Sequence, residues 1–266
     1  MEALVENASL VITAGALLAY VCTLLWEHAR PLLPHDLADG GTRWAGNFGL
    51  FFVNHALPYL LVPVIGAFAA WWADTLGLGL LPAVGVPGWL VLVLGLLALD
   101  LKGWVLHWAL HRYAWLWRVH QVHHSDLRFD AALAFRFHPG EAALVALASS
   151  LVVVVLGLPV EVVLASSLLG ALHNVFVHAN ASLDGGVERA VRAVFVTPDL
   201  HRVHHSAELS DAMHNYGIVF SWWDRLFRTW RTPVGSGPLS FGIAAERDPA
   251  RLSLPRLLLM PFRRAA

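Results

Sequence analysis

Long apolar runs joined by short polar connections dominate this chain, at a scale that suits helices crossing a bilayer. Residues 8–26 are largely apolar, about the 20 residues that a span requires. A second run, residues 48–72, is interrupted by His55, Pro58 and Pro63. Proline is tolerated in membrane helices where neighbours satisfy the freed backbone groups. Residues 88–99 are continuously apolar, and Asp100 and Lys102 enter just beyond them. A charge at a helix centre costs about 2.5–3.5 kcal/mol, so both should sit at the membrane edge or face the protein interior. Residues 142–156 and 160–177 form two further runs around Gly157 and Pro159. The first is short for a span, and a re-entrant or tight hairpin is expected there. The pattern predicts an all-α integral membrane bundle of about four spans or hairpins. Beyond residue 179 the chain turns more polar and is expected to form a helical cap. Residues 1–94 are read as N-terminal membrane helices, 95–230 as the catalytic region and 231–266 as a basic, apolar segment on the membrane surface, within one membrane domain.

Composition supports this picture. Hydrophobic residues make up 57% and charged residues 14%, against about 25% charged in soluble domains. A net charge of −1 offers no basic stripe for nucleic acid. The single cysteine, Cys22, excludes an internal disulfide and any cysteine-built metal site; lying in an apolar run, it reads as a packed thiol. The first residues carry no basic segment before the apolar run, as in a retained membrane helix rather than a cleaved signal. Arginine is unevenly spread. Arg30 and Arg43, then Arg112, Arg118, Arg128 and Arg136, and the C-terminal third are rich in it, whereas the Gly/Pro-rich turn at 74–87 has neither Lys nor Arg. The positive-inside rule places that turn outside and the histidines on the cytoplasmic side, with a bacterial inner membrane as the expected location.

Those histidines carry the chemistry. Of 15 in the chain, 12 fall between His107 and His214. His107 and His111 stand at i and i+4, which share a helix face. His120, His123 and His124 form H-x-x-H-H, repeated by His201, His204 and His205. Imidazole suits Zn, Cu, Fe and Ni, and eight box histidines exceed what one zinc uses. Two metals, each clamped by four or five nitrogens, are the economical solution. His28 and His35 read as packed residues without a site role, and His55 is ambiguous. No H-E-x-x-H, G-x-S-x-G or complete G-x-G-x-x-G is present, nor the E-x-x-H pairs of soluble di-iron bundles. Trp104, Trp108, Trp115 and Trp117 interleave the first boxes; they suit either a wall around the site or interfacial anchoring.

The order and wording of the boxes resembles the fatty acid hydroxylase/sterol desaturase superfamily of membrane di-iron oxygenases. The resemblance runs from D-x-K-G-W-x-x-H-W-x-x-H-R at Asp100 through WRVHQVHHS, FHPGE, VHAN, TPDLHRVHHS and HNYG to WWDRLF, roughly residues 95–230. FRTW departs from a glycine the family often has after phenylalanine, at a peripheral position. The resemblance implies that His107, His111, His120, His123, His124, His201, His204 and His205 are metal ligands, with His178 as a further one. His173 is less secure, since five residues on a helix turn it about 140° from His178. His138 and His214 are candidates for ligands or for partners of ligands. Asp100, Glu141, Asp199 and Asp224 are candidate acceptors for ligand N–H groups. No catalytic residue beyond the metal ligands is expected.

The resemblance further implies two Fe ions, O2 as co-substrate, and hydroxylation or desaturation of a C–H bond in a lipid such as a fatty acyl chain or sterol. Electrons would come from a separate donor of cytochrome b5, ferredoxin or flavoprotein type. Two other readings stand beside it. A metal transporter or sensor would place ligands near the bilayer midplane in broken helices, and a zinc-dependent membrane hydrolase would need neither O2 nor reductant.

Overall fold

Each long apolar run becomes a helix because a bilayer leaves backbone polar groups no partner outside the segment. A computed structural model describes residues 2–34, 40–56, 62–232, 239–243 and 246–263. In order, the helices are α1 (Glu2–Ala29), α2 (Gly40–Ala56), α3 (Val62–Thr75), α4 (Leu80–Ala83), α5 (Gly88–Arg112), α6 (Ala114–His124), α7 (Pro139–Leu156), α8 (Val160–Val177), α9 (Gly185–Arg192), α10 (Pro198–His204), α11 (Leu209–Ala212), α12 (Trp222–Leu226) and α13 (Leu254–Leu259). Among the described residues there is no strand, only two isolated bridges, Phe195 with Phe220 and Ser206 with Phe241.

Among the described residues, four helices are long and apolar enough to cross a membrane: Leu10–Ala29, Gly88–Arg112, Pro139–Leu156 and Val160–Val177. The run at 142–156 is thus longer than its apolar stretch suggests. His138 caps the helix, its Nδ1 accepting the Gly140 N–H at 3.0 Å, and Pro139 occupies the first helical position. The run at 48–72 is divided instead. It contributes to α2, with 17 residues, and α3, with 14, each below span length. Residues 57–61 and the side chain of His55 lie outside what is described, as does His35. Cys22 is exposed on α1 rather than packed, and His28 is exposed in the last turn of that helix.

Small residues let the spans approach closely. Ala69 and Ala70 of α3 pack with Val153 of α7 and Val162 and Val163 of α8, and Gly95 of α5 lies against Leu158 and Val162. At the end of the bundle away from the histidines, Gly79 and Gly157 meet. Gly157 ends α7 in the left-handed conformation (φ 69°), and a Cβ there would lie 2.7 Å from the Leu78 carbonyl oxygen and 2.8 Å from Pro82 Cδ. Gly157→Ala is therefore expected to cost at least about 1–2 kcal/mol from the backbone alone, read as a lower thermal midpoint in detergent. Gly170→Ala, where nothing lies within 4 Å of the added carbon, should be neutral or slightly stabilising.

One face of the C-terminal segment packs on the bundle. Leu252, Leu257 and Met260 are buried with Leu50 of α2 and Val122 of α6, leaving Leu259 and Phe262 exposed.

Candidate metal centre

Four elements end at the same place. The C-terminal turns of α5 bring His107 and His111; α6 brings His120, His123 and His124; the end of α8 brings His178; α10 and the residue after it bring His201, His204 and His205. Their ring nitrogens form two groups, within each of which the atoms lie within 4.8 Å of one another. One contains His107, His111, His120, His124 and His204; the other contains His123, His178, His201 and His205.

Helix geometry explains the partition. Residues four apart differ by about 40° around the axis, while adjacent residues differ by about 100°. The i,i+4 pairs stay together: His107 with His111, His120 with His124, His201 with His205. The remaining member of each H-x-x-H-H turns away to the other group. Thus His123 of the first box joins the pair from the second, and His204 of the second joins the two pairs upstream. Each box bridges both groups.

The outer ring nitrogens are held by acceptors. His107 Nδ1 donates to the Tyr216 carbonyl (2.9 Å), His204 Nδ1 to the His214 carbonyl (2.8 Å), His123 Nδ1 to the Arg136 carbonyl (3.2 Å) and His178 Nδ1 to the Asn174 carbonyl (2.7 Å). His120 Nδ1 donates to Glu141 Oε1 at 2.8 Å. A neutral imidazole that donates through Nδ1 presents a lone pair at Nε2. His107, His120 and His204 each bury that Nε2 with no hydrogen-bond partner. In the second group, His123 and His178 bring two such atoms to 3.2 Å, where two lone pairs cannot hydrogen-bond to each other. His178 Nε2 and His201 Nε2 are 3.0 Å apart, and His201 Nε2 and His205 Nε2 are 3.2 Å apart.

Protonation does not relieve this crowding. Burial, and then neighbouring imidazoles, hold His123, His124, His201 and His205 well below the ordinary histidine range. Burial lowers His204 to about 3 against its hydrogen bond to the His214 carbonyl. Inward-facing ring nitrogens in groups of five and four are the donor set that a first-row transition metal takes. The residues fit metal ions.

Other candidates fall elsewhere. His138 spends both nitrogens on backbone, Nδ1 on the Gly140 N–H and Nε2 on the Leu258 carbonyl (3.2 Å). His173 lies outside both groups, against Phe176 and Phe195. His214 acts through its carbonyl, its ring donating to the Ser210 carbonyl. Of the four carboxylates, Glu141 alone is bonded to a group histidine. Asp224 accepts from the Tyr216 and Gly217 N–H groups, Trp104 Nε1 and Thr229 Oγ1, which fixes the peptide whose carbonyl holds His107. Asp199 accepts from Ser182 Oγ and pairs with Arg202. Asp100 accepts from Val219, Phe220 and Trp223.

Several positioning residues escape the histidine pattern. Arg136 is fully buried. Besides offering its carbonyl to His123, it donates to the Val122 carbonyl (2.8 Å), Ser125 Oγ (2.8 Å) and Asn47 Oδ1 (2.7 Å). Arg202 donates to the Ala181 carbonyl at 3.0 Å and so ties the second box to the segment after His178. Arg43, near the start of α2, is buried and bonds Asp126 and Asp130. Glu27 accepts the N–H groups of Ala131 (2.8 Å) and Asn180 (2.6 Å), tying the end of α1 to both. Only burial identifies these, and burial is invisible in one sequence.

The chain is 27% identical over 210 residues to the ornithine lipid hydroxylase OlsE of Rhizobium tropici, covering 79% of this chain and 59% of that protein. It is 26% identical over 149 residues to an alkylglycerol monooxygenase of Caenorhabditis elegans, covering 56% of this chain and 28% of that one. The chain thus spans less than two thirds of either relative's length. No solved structure matches it. The fatty acid hydroxylase profile matches residues 92–229, a stretch that holds all nine clustered histidines together with Glu141, Arg136, Arg202, Tyr216 and Asp224. The chain belongs to the fatty acid hydroxylase family.

Proposed function

We propose that this chain is a membrane-bound, iron-dependent lipid hydroxylase. The observation that carries the reading is the convergence of nine imidazoles into groups of five and four, most of them anchored through the outer nitrogen. In this reading two iron ions occupy the groups and, when bound, supply activation of O2 and transfer of one oxygen atom to a C–H bond.

The protein's own residues do the rest. The histidines hold the ions, and the carbonyls of Tyr216, His214, Arg136 and Asn174 set the ring planes and tautomers. Glu141 adds negative charge behind His120, raising the donor strength of its inward nitrogen. Phe137 stacks on His123 at 4.5 Å, Phe129 packs on His178 and His205, and Trp117 lies against His111 and His124. This aromatic wall keeps water from the inner nitrogens. The groups sit where α5 and α8 end, so a lipid chain can reach them from the bilayer while its headgroup stays at the surface.

Both relatives named above carry hydroxylase or monooxygenase names that refer to lipids, which supports a lipid substrate and favours hydroxylation over desaturation. The distribution of arginine supports a cytoplasmic position for the histidines, in a bacterial inner membrane. Electrons would come from a separate cytochrome b5-, ferredoxin- or flavoprotein-type donor. The zinc hydrolase and metal-transport readings predict different contents for the purified protein. Elemental analysis after gentle purification is expected to find iron in both groups; zinc alone, or no metal in an intact fold, would overturn the proposal.

Glu141 offers a finer check. Glu141→Gln keeps an acceptor near His120 but removes the charge, and should weaken metal retention about 10–100-fold. Competition with a chelator reads this directly, and unchanged retention would remove Glu141 from the account.

A further inference from the structure

The cap does not stop at the level of the histidines. Asp100 precedes His107 by seven residues on α5, which places it about 10 Å further along the helix toward the bundle's far end. There it accepts the backbone N–H groups of Val219 (3.0 Å) and Phe220 (3.2 Å) and the indole N–H of Trp223 (2.8 Å). On α8, His173 precedes His178 by five residues, about 7 Å along that helix. Its ring lies 6.1 Å from that of Phe195. Phe195 and Phe220 join through an antiparallel bridge and stack at 5.7 Å, and Phe220 stacks on Trp222 at 4.4 Å. One cap segment therefore meets two spans well inside their ends.

The outward side chains of that segment are apolar. Phe195 is 38% exposed, Trp222 37% and Leu226 66%. Phe227, 44% exposed, stacks on Trp104 of α5 at 4.3 Å and joins this patch to the α5 surface. Arginine borders it: Arg192 pairs with Glu188, and Arg225 donates to the carbonyls of Arg192 and Ala193. Aromatic rings beside arginines on apolar stems are the composition of a membrane interface.

We propose that residues 192–196 and 218–227 together form a wedge seated in the bilayer leaflet on the histidine side. Phe195, Trp222 and Leu226 face acyl chains, with Arg192 and Arg225, held by protein acceptors, at the headgroup level. The proposal rests on the reading of α5 and α8 as spans. The occupant is the bilayer because the patch is continuous with the lipid-facing surface of α5 and lies at span depth. The second of these stretches follows directly on His214 and Tyr216, so its seating in lipid steadies the carbonyl acceptors of His204 and His107.

Spin labels on the full-length protein in phospholipid vesicles test this. In a Cys22→Ser background, labels are placed singly at Phe195→Cys and Leu226→Cys. Leu94→Cys on α5 serves as the lipid reference and Glu208→Cys as the aqueous one. Collision rates with oxygen, which concentrates in lipid, are compared with those of a water-soluble nickel chelate. The oxygen-to-nickel ratio at 195 and 226 is expected to be several-fold above that at 208 and to approach that at 94. Ratios at 195 and 226 equal to that at 208, with 94 reading as lipid, would overturn the wedge alone. A label at 94 that reads as aqueous would overturn the span reading and the wedge with it.

Discussion

His123→Ala is expected to strip metal from the group that its own box only touches. His123 sits in the first H-x-x-H-H, yet its ring lies with His178, His201 and His205. Its removal leaves that group three imidazoles, while His120 and His124 remain in the other group with His107, His111 and His204. Iron content should fall to about half, and the surviving iron should keep its spectroscopic signature, because ligand loss weakens metal binding far more than distant changes do. His204→Ala should do the reverse, depleting the group of five although it belongs to the second box. Lipid oxidation should vanish in both variants, since ligands acting as one unit are not additive. Iron counting with Mössbauer spectroscopy distinguishes this from a simpler arrangement in which each box binds its own ion. In that case His123→Ala would disturb the same iron as His120→Ala.

The second large effect lies beneath the site. Arg43 Nε contacts Asp126 at 2.7 Å and its Nη1 contacts Asp130 at 2.7 Å, with Arg43 and Asp126 almost wholly buried. Arg43→Leu strands a buried carboxylate, and breaking such a pair costs about 3–5 kcal/mol. The variant should unfold at clearly lower temperature in detergent, with or without metal. The pH dependence has a definite sign. Burial pushes the Asp126 carboxyl up, but Arg43 and Arg136 beside it outweigh burial and hold it at about 2, below its ordinary 3.8. A depressed carboxylate contributes stability that is complete above the unfolded value and lost as pH falls through the folded one. The wild-type contribution should therefore persist down to about pH 4 and fade toward pH 2. In Arg43→Leu much of that acid-side loss should be absent, because the partner that holds the carboxyl down has gone.

The sequence made the histidines legible and left their partition hidden. Spacing alone puts His107 and His111 on one face, and the structure keeps them together. It also suggests that His120, His123 and His124 act as one face, whereas the 100° step between His123 and His124 sends them to different groups. Of the four carboxylates offered as partners, Glu141 meets a clustered histidine because Pro139 starts α7 beside α6. Asp100, Asp199 and Asp224 instead tie loops together, a distinction that depends on tertiary contacts. The apolar runs located the spans well, except at 48–72, where length summed over an interrupted run overstates what either helix, α2 or α3, provides. Arg43 and Arg136 looked like topology markers, and nothing in the sequence singled out Arg202. Their guanidinium groups are buried struts, since the polar loops of the cap fold inward around the metal groups and need internal donors.

The central claim is that the two imidazole groups transfer oxygen from O2 to a lipid. Membranes carrying the wild-type chain, a reductant and an electron donor can be supplied with isotopically heavy oxygen gas, and their lipids extracted for mass spectrometry. The account predicts lipids that gain one heavy oxygen atom with wild type and none with His123→Ala or His204→Ala. Lipid products that carry oxygen only from water, or that form equally well without O2, would contradict it.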